Sequence, residues 1–113
     1  MSIAVVFPGQ GSQNKDMADS FSDVSSFNDV IDQGSEILNY DVREIIKDEQ
    51  KINETIYTQP LMLTISCAMW DTLIKKTGIK ANIGAGHSLG EYTALVANNT
   101  LSFSDALKDR VLF

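Results

Sequence analysis

The residues best suited to chemistry are Gly86-His87-Ser88-Leu89-Gly90, which have the form G-x-S-x-G. A serine hydroxyl becomes a useful acyl acceptor when it is exposed to an incoming carbonyl and N–H donors wait where the oxyanion will form. This pattern meets both needs when it lies between a strand and a helix. The sharp turn leaves the serine at its tip in strained dihedrals. Side chains two residues either side would collide, so glycine is required at 86 and 90. The start of the helix aims the Leu89 N–H at a developing oxyanion. The chemistry would be covalent acyl transfer through Ser88. The competing reading is a glycine-rich strand–helix turn whose serine caps the helix. Neighbouring side chains on such a turn point apart, so His87 is a poor base for Ser88 and fits a packing or supporting role. Glu91 suits the first helical turn, where a carboxylate offsets the dipole. Cys67 reads as a small buried hydrophobe.

A second segment, Phe7-Pro8-Gly9-Gln10-Gly11-Ser12-Gln13, is rich in glycine. As a phosphate loop it fails. G-x-G-x-x-G breaks at Asn14, and the Walker pattern from Gly9 breaks at Asn14 and Asp16, leaving Lys15 as its one match. Topology gives a better use. Loops that follow neighbouring parallel strands leave the sheet at the same end. Gly9–Gly11 would then lie beside Ser88, with a loop amide facing the same point as the Leu89 amide. Two converging donors make an oxyanion hole.

The elements that must position these loops follow from pattern. Ile3–Phe7 predicts a strand buried on both faces, as parallel sheets require, stopped by Pro8-Gly9. Residues 19–38 carry apolar positions at spacings of three and four and predict a helix, weakened by Gly34. Val42–Lys47 predicts a short helix. Pro60 fits the first turn of a helix over Leu61–Lys76. Leu61, Ile65, Met69 and Leu73 form its stripe, and Gly78 is its C-terminal stop. Ile79–Ala85 predicts a second buried strand and Leu89–Asn98 a helix. Ser102–Asp105 resembles a capping box before a helix over Ala106–Phe113. Strands separated by helices predict an α/β domain with a parallel sheet. The last helix runs out on Val111-Leu112-Phe113 without a cap, so the chain is expected to be the front part of a longer protein.

Composition narrows the classes. A chain of 113 residues holds one small domain, which buries roughly 65% of its unfolded surface. With 43% hydrophobic residues it can build a core. Fifteen acidic residues against nine Lys and Arg give −6, which argues against a nucleic-acid binder. No apolar run approaches the ~20 residues that span a bilayer, and Met1-Ser2 opens no signal peptide. One cysteine and one histidine exclude a disulfide framework and a two-histidine site. These features predict a cytoplasmic protein of a reducing compartment, with neither nucleic-acid nor membrane partners.

Taken together, Phe7–Gln13 (FPGQGSQ), Gly86–Tyr92 (GHSLGEY) and Thr58-Gln59-Pro60 resemble the malonyl-CoA:acyl carrier protein transacylases. The same family includes the acyltransferase domains of fatty-acid and polyketide synthases. The likeness covers essentially the whole chain and the front third of a family member. It implies a hydrolase-like acyltransferase core built on a strand–nucleophile elbow–helix. Residues 1–113 would be the N-terminal part of its large α/β subdomain. The ferredoxin-like small subdomain and the C-terminal part would be absent.

The resemblance also implies roles. Ser88 would take malonyl from coenzyme A as an ester, in fatty-acid biosynthesis. The backbone N–H groups of Gln10 and Leu89 would form the oxyanion hole, with Gly9, Gly11 and His87 at the substrate. The phosphopantetheine thiol of acyl carrier protein would then attack. Malonyl-CoA is the substrate, and no metal or other cofactor is implied. The family's base is a histidine beyond Phe113, oriented by a further glutamine or asparagine, so this chain by itself is expected to turn over little or nothing. An arginine on the helix after the elbow helix pairs with the malonyl carboxylate in the family, as a planar bidentate donor. Arg110 is the candidate, although the family pattern places that arginine about three residues later, a slip of ~4.5 Å along a helix. A basic patch at Lys75, Lys76 and Lys80 could meet an acidic carrier, against a reading of lysines placed for the helix dipole. The alternatives are a polyketide-type acyltransferase, a serine esterase (whose usual HGGG-type hole is missing) and a non-catalytic truncated remnant.

Overall fold

The β-branched pair Val5-Val6 favours extended backbone, and Ala4–Phe7 forms strand β1, ended by Pro8. The computed structural model describes residues 4–9, 11, 13–79, 83–86, 89–98 and 100–111. It pairs β1 in parallel with β2 (Ile83–Gly86), in register from Ala4↔Ile83 to Phe7↔Gly86. Parallel strands need a long crossover. Helices α1 (Ser25–Leu38), α2 (Val42–Lys47) and α3 (Thr55–Thr77) supply it. After β2 come α4 (Gly90–Ala97) and α5 (Phe103–Val111). The fold is therefore the expected α/β class with parallel strands.

Burial of the strands on both faces is not observed. Phe7 is buried and meets Trp70 edge-to-face at 6.1 Å. Successive strand side chains alternate in direction, and Val6 is 73% exposed. Helix α4 packs across both strands, and the face that carries Val6 stays open. Of the predicted second strand, Ile79 lies outside β2, residues 80–82 lie outside the described set, and β2 ends one residue later, at Gly86.

The helix predicted over 19–38 is divided. Asp19–Phe21 is a 3₁₀ turn, and α1 starts at Ser25. Phe21 stacks on Phe27 with ring centroids 4.8 Å apart. Residues six apart do not share a helix face, so the chain bends to bring these rings together. The Asn28 side-chain amide donates to the Ser22 carbonyl at 2.9 Å across that bend. Asn39 closes α1 in the left-handed region at φ 63°. At α2, the Asp41 carboxylate caps the start by accepting from the Arg43 N–H at 2.9 Å.

α3 begins at Thr55, so Pro60 lies inside the helix rather than in its first turn. Proline has no N–H to offer the carbonyl of Ile56, so α3 runs without that one bond near its start. Every residue from Leu61 to Ala68 is buried, so the first half of the predicted stripe is a band buried all round, while Leu73 at its far end is 42% exposed. Within that band the Thr64 hydroxyl donates to the Pro60 carbonyl at 2.8 Å. Gly34 is what lets α1 approach. A Cβ there would lie 2.6 Å from Thr64 Cγ2. Gly78 ends α3 as expected, at φ 66° with its N–H on the Ile74 carbonyl at 2.8 Å.

Among the described residues, the core falls into two clusters on either side of α3. Phe27, Ile31, Val42, Ile46, Leu61 and Ile65 join α1, α2 and α3. Leu63, Cys67, Ala106 and Leu107 join α3 to α5. Ser102 caps α5, its hydroxyl accepting from the Asp105 N–H at 3.1 Å. The helix therefore starts at Phe103, earlier than the predicted Ala106.

Candidate active site

The register Phe7↔Gly86 ends both strands level with each other, so the loops that follow them leave the sheet at the same end. Two glycines then let the chains close in. A Cβ on Gly86 would run into the carbonyl of Gly90 and the amide of Glu91. A Cβ on Gly90 would strike the Phe7 carbonyl oxygen and sit 2.8 Å from its carbon and 3.0 Å from the Pro8 oxygen. The strand–turn–helix thus doubles back on itself and presses its second glycine against the end of β1. No side chain fits at either position, which is the steric demand expected of a serine elbow. Gly84 has no such role: a Cβ there would meet Ala94 Cβ at 4.0 Å, an ordinary contact.

Leu89 anchors the turn. Its side chain is 3% exposed, and its carbonyl accepts from the Tyr92 N–H at 3.0 Å, the first bond of α4. Its N–H belongs to the same turn that brings Gly90 onto β1. Glu91 is exposed in the first turn of α4, in keeping with a dipole role. Ser88, His87 and Gln10 lie outside the described residues.

On the loop after β1, Gly9 is buried and Gly11 is exposed. Gly11 takes φ +112°, a conformation side chains rarely adopt, with open space around its Cα. Its N–H donates to Gln13 Oε1 at 2.7 Å. Gly11 therefore has its amide engaged inside the loop. Gln13, the last residue of FPGQGSQ, carries no role in the sequence motif. Its partners are Gly11 and the distant Asn53, whose Oδ1 accepts from Gln13 Nε2 at 3.1 Å. A side-chain amide two residues past a glycine is the signal that was available.

The remaining candidates divide. Arg110 falls within α5, and its side chain lies outside the described residues. Lys75 is paired with Asp71 at 2.9 Å, one turn away on α3, and Lys80 is outside the described set. The lysine patch is thus committed in part to its own helix. Cys67 is buried, and burial, helped by Asp71, pushes its thiol from 9.0 up to about 12. It stays protonated near neutrality and is no rival nucleophile. No cluster of three metal-ligating side chains occurs among the described residues. Among them, too, no helix is long and apolar enough to cross a membrane.

Comparison with known proteins converges on one group. The model of a family described as acyl transferase domain matches residues 4–113. The malonyl CoA-acyl carrier protein transacylase of Buchnera aphidicola subsp. Schizaphis graminum is 42% identical over 111 residues. That match covers 95% of this chain and 36% of the relative. An acyl-carrier-protein S-malonyltransferase structure from Burkholderia pseudomallei 1710b superposes with a TM-score of 0.95 at 42% identity, over 98% of this chain and 37% of that one. A malonyl-transacylase solved in complex with a type II polyketide synthase acyl-carrier protein gives 0.92 at 36% identity, over 99% and 37%. The chain thus spans a little more than a third of the length of the relatives it matches.

Proposed function

The chain belongs to the acyl transferase domain family, and from that premise we propose that it carries the nucleophile half of a malonyl transfer. Malonyl would move from coenzyme A to the phosphopantetheine thiol of acyl carrier protein, in fatty-acid biosynthesis. The Ser88 oxygen attacks the thioester carbonyl of malonyl-CoA and its proton passes to a base. The amides of Gln10 and Leu89 hold the oxyanion. The C–S bond then breaks, and coenzyme A leaves as the thiol with that proton. The carrier's thiol attacks the serine ester in turn, the C–O bond breaks, and Ser88 regains its proton.

The observation that carries this reading is the closure of Gly90 onto the Phe7 carbonyl beside the Phe7↔Gly86 pair. It supports two glycine-bearing turns sharing one end of the sheet. The relatives' printed names support the substrate and the carrier. Residues 1–113 would form the N-terminal part of the large α/β subdomain. By the resemblance, the base would be a histidine on the remainder of the parent protein, His87 being a poor base for its neighbour Ser88. A ferredoxin-like subdomain would also lie on that remainder. Arg110 would select the diacid by pairing with the malonyl carboxylate.

The test uses a hybrid in which residues 1–113 replace the matching part of the Burkholderia pseudomallei malonyltransferase. Incubated with malonyl-CoA, the hybrid should gain one malonyl group by intact mass, mapped to Ser88 and lost in Ser88→Ala. Added acyl carrier protein should remove it faster than water does. Release to water at an equal rate would favour the esterase reading, and no acylation would refute the proposal.

A further inference from the structure

A loop of Pro8-Gly9-Gln10-Gly11 has little intrinsic stiffness, because glycine reaches many backbone conformations. An oxyanion donor works when it is aimed before the charge appears. Something outside the glycines must therefore hold this loop. We infer that Gln13 is a positioning residue for acyl transfer, tying the glycine loop to the 3₁₀ turn Lys51–Asn53. The inference rests on the acyl-transfer reading above and adds a residue to it.

The tie is a short chain of amides. The Gly11 N–H donates to Gln13 Oε1 at 2.7 Å. Gln13 Nε2 donates to Asn53 Oδ1 at 3.1 Å. Asn53 Nδ2 donates to the Glu49 carbonyl at 2.9 Å. Glutamine suits the post because one end accepts while the other donates; glutamate would keep the first bond and lose the second. The peptide plane that ends in the Gly11 N–H begins at residue 10, next to the amide proposed as the oxyanion donor. Fixing that plane leaves the donor fewer ways to turn away.

The segment beyond is clamped to the same corner. Lys47 Nζ donates to the Lys15 carbonyl at 2.8 Å and to Asp19 at 2.7 Å, and Lys15 pairs with Glu49 at 3.2 Å. These charged contacts are exposed and individually weak. Gln13 differs from them in gripping the glycine loop itself.

Two measurements test this. In the hybrid, Gln13→Ala should lower kcat for malonyl transfer about 10- to 100-fold, in line with the cost of a small misplacement. KM should stay within about twofold and the melting temperature should barely move. Gln13→Glu keeps the acceptor for Gly11 and loses the bond to Asn53, and Asn53→Ala loses that same bond, so both should lower kcat by a similar amount, less than Gln13→Ala does. In the 113-residue chain labelled with ¹⁵N-glycine, the Gly11 amide proton should shift upfield in Gln13→Ala. An unchanged kcat, or a raised KM at unchanged kcat, would overturn the inference. So would an unmoved Gly11 resonance. If Gln13→Ala does not fold, Gln13→Glu and Asn53→Ala carry the same comparison. A hybrid that transfers no malonyl even unsubstituted would sink the functional reading, and the Gly11 resonance would still decide whether the tie exists.

Discussion

At the scale of single residues, the site is defined by what cannot be added. Gly86 and Gly90 each lack room for one carbon, whereas Gly84, two residues before the first, has it. Gly86→Ala and Gly90→Ala should each destabilise the chain by about 1–3 kcal/mol or more, as overpacking against backbone does. Gly84→Ala should be nearly neutral. Urea denaturation followed by circular dichroism separates the three, and equal losses would contradict the steric account. The need for glycine at 86 and 90 was legible in G-x-S-x-G, because the turn's sterics are local. The use of Gln13 was not. Its anchor, Asn53, is 40 residues away, and no local pattern links two side-chain amides at that distance. Arg110 is a residue-scale question with its own test. In the hybrid, Arg110→Ala should raise acetyl transfer relative to malonyl by about tenfold or more, the scale of one charge-assisted bidentate contact. An unchanged ratio would remove Arg110 from the site.

At the scale of elements, α3 organises the molecule, and its approach to α1 depends on one missing methyl group. Gly34→Ala should cost about 1–3 kcal/mol despite alanine's better helix propensity. Thr64→Ser removes Cγ2, the atom in the way, and keeps the hydroxyl that donates to the Pro60 carbonyl. The double variant should therefore recover part of the loss, giving a coupling of about 1 kcal/mol in a double-mutant cycle. Strict additivity would show that the two helices do not meet there. Sequence periodicity found each helix, the capping serine at 102 and the C-terminal glycine at 78. It misplaced three starts for identifiable reasons. Phe21 and Phe27 stack across a bend that mimics helical spacing. Pro60 lies past the first turn of α3, where the helix forgoes one N–H, so it reads as a start without being one. Ser102 caps one turn before the apolar Ala106-Leu107 pair that marks the helix in sequence.

At the scale of the whole molecule, the pattern could not reveal how the strands are covered. Val5-Val6 reads the same whether one face or both are buried, and Val6 is open. Stability against pH is a property of the same scale. Burial raises Cys67 from 9.0 to about 12, and burial together with Tyr57 raises Tyr40 from 10.0 to about 12. Between those limits the folded chain keeps protons that the unfolded chain has lost. Stability should therefore be flat from pH 7 to about 8.5 and fall as pH rises through 9 to 12. The Tyr40 hydroxyl is buried without a hydrogen-bond partner among the described residues. Tyr40→Phe should accordingly be neutral or stabilising by about 1 kcal/mol at pH 7 and should flatten the alkaline limb. Thermal melts across this range check both statements, and a limb that Tyr40→Phe leaves unaltered would refute the second. Turnover is also a whole-molecule property. On the proposal that the base lies on the remainder of the parent protein, the 113-residue chain should transfer malonyl ~10³–10⁶ times more slowly than the hybrid, the usual cost of losing a triad partner, and comparable rates would refute that.

The central claim is that the amides of residues 10 and 89 converge on one oxygen beside the Ser88 hydroxyl. A crystal structure of the malonylated hybrid measures this directly. Both nitrogens should lie about 2.7–3.1 Å from the ester carbonyl oxygen on Ser88. An ester oxygen turned to solvent, with either amide facing away from it, would contradict the account.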